Sequence, residues 1–202
     1  MVFLKKIWAK YPLAVIMFVV LLAFTIGLYF MRKQALQAAI NQLNVTNPDD
    51  MKLSYLGRTD LPRGIRNNNP GNLTRTSISW QGEVANNTDG RFEQFTQFVW
   101  GVRAMIRDIS GDIKKDGDNT IRKLITKYAP SNENNTAGYI SSLSTRTGYG
   151  ADQILDADDK AVMARLVQQI CIIENGNPQS RIGKNEWISD SMFNAAWKLH
   201  KA

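Results

Sequence analysis

Cysteine and histidine are almost absent from this 202-residue chain, which has one of each, Cys171 and His200. A single cysteine excludes an internal disulfide framework. Cys171 lies among apolar residues at helical spacing, where a small buried side chain is its ordinary use. One cysteine and one C-terminal histidine leave no ligand cluster for a structural zinc ion, and no metal or other cofactor is expected. They also exclude Ser/His/Asp and Cys/His nucleophilic arrangements. Internal repeats and low-complexity tracts are lacking. So is a Lys/Arg stripe with interleaved aromatics, which excludes a specific nucleic-acid interface. Acidic residues are the minority, 18 against 25 basic, for a formal net charge of +7. Five of those basic residues, Lys5, Lys6, Lys10, Arg32 and Lys33, flank one apolar run, and the other 20 nearly balance the acids. The basicity therefore belongs chiefly to that run's flanks. A mildly cationic surface suits an anionic polymer such as a bacterial cell wall.

Tyr11 to Met31 carries no charge. Its length matches the roughly 20 residues that cross a bilayer as a helix. Trp8, Tyr11 and Tyr29 stand at its ends, where amphipathic rings favour the interface. The run is too long for a cleaved leader, and no small-x-small site follows it. The expectation is a retained anchor over residues 1–33, with the lipid bilayer as a partner through residues 11–31. The three lysines ahead of the span lean towards a cytoplasmic N-terminus and a periplasmic C-terminal domain. Residues 34–60, broken at Asn47-Pro-Asp-Asp, are expected to form a stalk. Residues 61–202 form the globular domain.

That domain reads as mainly α with a small β-hairpin. Leu61 to Leu73 is dense in Gly, Pro and Asn and forms a loop. Leu73–Val84 and Arg91–Phe95 are expected as two short strands about an Asp89-Gly90 turn. Four apolar stripes at helical spacing follow. Phe98, Val102, Met105, Ile106, Ile109 and Ile113 form the first, broken at Asp116-Gly-Asp. Ile121, Leu124, Ile125 and Tyr128 form the second, stopped before Pro130. The third carries Tyr139, Ile140 and Leu143 after a Thr136 cap and ends near Gly148. The fourth, opened by Asp158 or Asp159, carries Met163, Leu166, Val167, Ile170 and Ile173. A Ser189 cap opens a last helix with Met192, Phe193, Ala196 and Trp197 inward.

Glu174 continues the fourth stripe, just before Asn175, Gly176 and Pro178 stop the helix. Lost hydration disfavours an ionised carboxylate. A carboxylic acid kept protonated near neutral pH is what a glycosidase uses on a leaving oxygen. The ordinary alternative is a helix-end glutamate that reaches to water.

Arg63-Gly-Ile-Arg-Asn-Asn-Asn-Pro-Gly-Asn72 resembles the opening motif of a family of phage and prophage virion structural proteins of lysozyme-like, peptidoglycan-degrading character. The same pattern continues through Trp80-x-Gly82, Asp89-x-Arg91-Phe92-x-x-Phe95, Gly101-Val-Arg-Ala104, Tyr128-Ala-Pro130, Glu133-Asn-Asn-Thr136 and Tyr139 to Glu174-Asn-Gly176. Glu174-Asn-Gly-Asn-Pro178 is similar to the end of the catalytic helix in lytic transglycosylases. Asn68-Asn69, Trp80-Gln-Gly82 and Tyr128-Ala129 look like cell-wall glucosaminidases. In those groups the catalytic helix precedes the hairpin, so the resemblance implies an α+β lysozyme-like domain with circularly permuted order. It implies a peptidoglycan glycosidase, of lytic transglycosylase or muramidase/glucosaminidase type, acting on glycan strands. Glu174 is then general acid/base. Glu83 or Glu93 is the candidate second carboxylate, with Asp89 more at home in a turn. Asn68, Asn69, Asn72 and Tyr139 are the candidate substrate contacts. A single carboxylate suffices where the sugar's own hydroxyl attacks. The membrane is that of a virion or the bacterial inner membrane. The competing expectation is a non-catalytic virion or envelope protein that binds glycan or acts as a scaffold.

Overall fold

The computed structural model describes residues 17, 20–22, 24–32, 34, 47–131 and 135–202. The chain divides into two compact units, Met1–Asn44 and Val45–Ala202. In the first, the described residues are helical, and Leu21, Phe24, Ile26, Tyr29 and Phe30 are exposed. The apolar run 11–31 lies partly outside the described residues. Among the described residues no helix is long and apolar enough to cross a membrane.

The second unit is mainly helical. A 3-10 turn, Pro48–Met51, is followed by α1 (Arg63–Arg66), α2 (Phe98–Gly111), α3 (Ile121–Tyr128), α4 (Thr136–Thr147), α5 (Lys160–Asn175), α6 (Gln179–Ile182) and α7 (Asp190–Lys201). Phe98, Val102, Met105, Ile106 and Ile109 fall on one face of α2 and are fully buried, as the apolar stripe requires. Each such side chain contributes on the order of 1.5–3 kcal/mol of burial. Helix α2 packs on α7, α4 on both α3 and α5, and α1 on α5. A π-turn over Asp112–Asp116 ends the α2 stripe, and Gly117 leaves it at φ 77.

The caps follow their chemistry. The Asp159 side chain accepts from Ala161 and Val162 N–H, and the Ser189 hydroxyl accepts from Met192 N–H. The cap of α4 is Asn135 rather than Thr136, because its side chain accepts from Gly138 N–H. The Thr136 hydroxyl instead donates to the Ala129 carbonyl, 2.6 Å away.

Two expectations differ in detail. Residues 47–60 belong to the compact unit instead of a stalk, because Asp50 and Tyr55 are buried against it. The Tyr55 ring meets Phe98 edge-on at 5.1 Å, and Ser191 donates to Asp50 at 2.6 Å. The hairpin reduces to two isolated antiparallel bridges, Thr74 with Phe92 and Glu83 with Phe95. Residues 91–96 pair first with 73–75 and then with 82–84, through Glu93 N–H to Leu73 C=O and Val84 N–H to Gln94 C=O. Splitting one short segment between two partners leaves each pairing too short for a strand.

The Asn-rich loop is tied down from within. Asn68 and Asn69 are fully buried. The Asn68 amide accepts from Tyr55 N–H at 2.7 Å and donates to the Phe95 carbonyl and the Ser54 hydroxyl, each at 2.8 Å. The Asn69 amide accepts from Leu73 N–H at 2.9 Å and donates to the Glu93 carbonyl at 3.0 Å. The Asn67 amide donates to Asp89 and accepts from Gln94. Asn68 and Asn72 stand at φ 53 and 51, a left-handed conformation that asparagine tolerates best after glycine. Asp89 receives both arms of the Arg63 guanidinium, at 2.7 and 2.8 Å. That ion pair, helped by Asn67 and by Phe92 and Arg91 N–H, holds its carboxyl far below the usual carboxylate range.

Gly101 lets α2 lie directly on this loop. A Cβ there would overlap the Asn68 carbonyl oxygen and lie 3.0 Å from Pro70 Cδ. Gly101→Ala is therefore expected to destabilise by about 2 kcal/mol or more, as overpacking does, although Gly→Ala within a helix ordinarily helps. Gly111→Ala is the control, because open space surrounds that helical glycine; it is expected to stabilise by up to about 1 kcal/mol. Thermal unfolding of the two full-length variants gives the comparison. Asp89→Asn is expected to cost about 2 kcal/mol at pH 7. A carboxyl held low stabilises above its unfolded value and loses that contribution as pH falls. The variant's stability should therefore drop less steeply than the wild type's below about pH 4, which urea titrations across pH would measure.

Candidate functional site

Helix α5 delivers Glu174 to the rim of a cleft. Its inner face, Met163, Leu166, Val167, Ile170 and Cys171, is fully buried, while Ile173 and Glu174 are half-buried at the cleft end. Asn175 is buried and donates to the Pro70 carbonyl at 2.9 Å and the Cys171 carbonyl at 3.0 Å. Gly176, at φ 76 and ψ 178, turns the chain out of the helix in a conformation open to glycine alone. Trp187 Nε1 donates to the Gly176 carbonyl at 2.8 Å and fixes that turn.

Both carboxylate oxygens of Glu174 are held. The Tyr139 hydroxyl on α4 donates to Oε1 at 2.8 Å, and Asn72 Nδ2 in the loop donates to Oε2 at 2.9 Å. Two elements distant in sequence thus orient one carboxylate. Burial, and then the Glu174 charge, push the Tyr139 phenol far up, so it remains a proton donor. The Tyr128 phenol, pushed up chiefly by burial, donates to the Gly71 carbonyl and supports the loop from α3. The amide oxygens of Asn72 and Asn175 both crowd the place where Gly64 would carry a Cβ. Gly64, Asn72 and Asn175 therefore form one packed unit beneath Glu174.

The cleft holds about 310 Å³. Trp80 and Phe92 give it aromatic walls, Thr74 and Thr76 give it hydroxyls, and Asn72, Asp108 and Glu174 give it polar groups. The Arg91 guanidinium, also in the lining, lies 5.3 Å from the centre of the Phe92 ring. Apolar rings beside hydroxyl, amide and carboxyl groups suit a sugar, which offers apolar faces and a belt of hydroxyls.

The residues expected from sequence divide into three groups. Glu174 and Asn72 line the cleft, and Tyr139 is joined to it through its hydrogen bond to Glu174. Asn68 and Asn69 do not line it, because their amides are spent on backbone groups beneath its floor. Glu83 and Glu93 stand behind it. Glu83 accepts from Trp80 N–H at 3.1 Å, and Glu93 accepts from Thr76 N–H at 3.2 Å. Each therefore holds a residue of the cleft wall. Glu93 is almost wholly buried, and burial, with the neighbouring Glu83 charge, raises its carboxyl. Asp89 is the Arg63-bound turn residue and lies in a different depression. Phe92 lines the cleft and Phe95 is core. Glu133 and its neighbours Asn132 and Asn134 lie outside the described residues.

Thr74, Thr76 and Asp108 are cleft residues that sequence reasoning missed, and Asp108 is the carboxyl among them. It follows Ala104 by four and Met105 by three, both buried, so its position on the inner side of α2 was there to be found. Burial foremost, with the Asp112 charge next, pushes its carboxyl up to about 6. Among the described residues, Asp112, Asp116 and Asp118 come close enough together to suit a cation. The Lys127 ammonium already serves that cluster, at 2.6 Å from Asp112, bonded to Asp116, and 3.8 Å from Asp118.

No protein-family model matches the chain. Protein P5 of Pseudoalteromonas phage PM2 is 35% identical to it over 119 residues, covering 57% of this chain and 72% of that protein. At that identity and coverage, the chain belongs to the family of the phage PM2 protein P5.

Proposed function

We propose that this phage-family protein is a glycosidase that opens peptidoglycan by cutting its glycan strands, tethered to a membrane by residues 11–31. One observation carries the reading. Glu174, at the end of a buried helix, faces a sugar-sized cleft with each oxygen oriented by a donor from a different element. Glycosidic cleavage needs a carboxyl group fixed to within a fraction of an ångström beside the scissile oxygen, and a rigid helix end supplies that. Trp80 and Phe92 give the cleft apolar walls, and Asn72, Thr74 and Thr76 offer partners for hydroxyl and N-acetyl groups. Glu174 is the carboxyl on which the reaction turns, as acid, as base or as both in succession. Where it acts alone, the sugar's own hydroxyl attacks and an anhydro end forms. With a second carboxyl, water attacks and a reducing end forms. The ordered sequence pattern from Arg63 to Gly176 and the kinship with a phage protein both support a lysozyme-like, virion-borne enzyme. Tethering confines cleavage to one point of the envelope, as host entry requires.

A second reading is a non-catalytic virion component that binds glycan. It is favoured by the same hydrogen bonds, since each Glu174 oxygen already has a protein partner.

The two separate in a turbidity assay on purified peptidoglycan with full-length protein in detergent. Wild-type protein is expected to clear it. Glu174→Gln, shown folded by its thermal transition, is expected to lose about 10²–10⁴-fold, the usual worth of an acid–base group. Equal clearing by that variant removes Glu174 from the chemistry. No clearing by wild-type protein that still pellets with peptidoglycan supports the binding reading. Tyr139→Phe keeps the carboxyl and removes one donor, so an intermediate loss of about tenfold is expected, read in the same assay.

A further inference from the structure

We infer that Asp108 is a second working carboxyl of this cleft, the group that protonates the leaving glycosidic oxygen, with Glu174 as the base opposite in role. The inference rests on the glycosidase reading above and assigns its two proton-transfer roles.

The geometry separates the two carboxyls. Both line the same 310 Å³ cleft, Asp108 from α2 and Glu174 from α5. Glu174 accepts a hydrogen bond on each oxygen, from Asn72 and Tyr139. With both oxygens accepting, Glu174 presents acceptors to its neighbours rather than a donor. Asp108 is half-buried. A carboxyl in a partly dry place binds its proton more tightly than one in water. Its surroundings agree. The Asp112 and Asp116 carboxylates on the following turn oppose its ionisation, and the Lys127 ammonium on α3 favours it. Lys127 is itself bound to Asp112 and Asp116, which blunts its effect on Asp108. The Tyr128 phenol on α3 feels both Glu174 and Asp108, so it stands within electrostatic reach of the two. With burial dominant, Asp108 titrates at about 6, suited to proton donation near neutral pH.

The reaction balances in one cycle. Protonated Asp108 gives its proton to the glycosidic oxygen as the bond from that oxygen to C1 breaks, and the electron pair leaves with the oxygen. A hydroxyl, from water or from the sugar itself, attacks C1 while Glu174 takes its proton. Exchange with solvent then returns a proton to Asp108 and removes one from Glu174. A thermodynamic sign follows as well. A carboxyl raised on folding stabilises below its unfolded value, and that contribution is lost as pH rises through about 6. The Asp108 charge thus opposes folding at pH 7.

The test uses full-length protein and three readouts. On purified peptidoglycan, Asp108→Asn is expected to lose at least 100-fold in kcat with KM changed less than about threefold. On a nitrophenyl glycoside of N-acetylglucosamine oligomers, whose leaving group needs no proton, the same variant should fall less than about fivefold. Glu174→Gln should fall on both substrates. The thermal midpoint of Asp108→Asn at pH 7.5 should equal or exceed that of the wild type, which separates lost chemistry from lost folding. Wild-type turnover retained by Asp108→Asn on peptidoglycan overturns the assignment, as does an equal loss on both substrates. Should wild-type protein clear no peptidoglycan and cleave no glycoside, the glycosidase reading fails and the assignment falls with it. A wild type that clears while Asp108→Asn clears equally leaves that reading standing and removes Asp108 alone.

Discussion

The C-terminal end of α5 is latched to the asparagine loop, and the rest of the second unit is arranged around that latch. Asn175 donates to the Pro70 carbonyl, Asn72 donates to Glu174, and the amide oxygens of both crowd the bare Cα of Gly64. The two hydrogen bonds join residues 105 and 102 apart in the chain. A glycine gap, two amide oxygens and a helix end coincide there. The latch also explains why the loop is so polar inside. Buried amides cost free energy unless they are bonded. Asn67, Asn68 and Asn69 meet that condition by serving as crosslinks between backbone segments that form neither helix nor full strand.

From this follows a division of labour in the cleft. Helices α2 and α5 supply rigid ends and inner faces, and the loop supplies the fine positioning of Glu174 from one side. Tyr139 on α4 supplies it from the other. Behind the wall, Glu83 and Glu93 hold Trp80 and Thr76 by their backbone N–H groups. Acidic residues thus serve three ends here. Asp89 is a salt-bridged turn, Glu83 and Glu93 are braces, and Asp108 and Glu174 face the cleft. Environment, not residue type, sorts them.

The helices were legible in the sequence because their apolar stripes repeat at 3.6 residues and their ends carry Asp159, Ser189 and Gly148. The Glu174 helix and its nearness to Tyr139 and Asn72 were legible through the motif pattern. Strands at 73–84 and 91–95 were not formed as expected, since alternation in 91–95 says nothing about that segment being shared between two partners. The use of Asn68 and Asn69 was legible only as an alternative, amides that bond backbone to hold a shaped loop or amides that point outward to sugar, and the first is what forms. Composition does not show the partners, which lie at Tyr55, Phe95 and Glu93, or that Gly101 brings α2 against the Asn68 carbonyl. Asp108 was masked by the apolar residues around it, which make an acidic residue on α2 look like an ordinary solvated position.

The most direct measurement is mass spectrometry of the soluble fragments that full-length protein releases from purified peptidoglycan. Muropeptides with intact peptide stems and new glycan ends, anhydro or reducing, are the expected products. Fragments cut only within the peptide stems, or no fragments from protein that binds the polymer, would contradict a glycosidase built on Glu174.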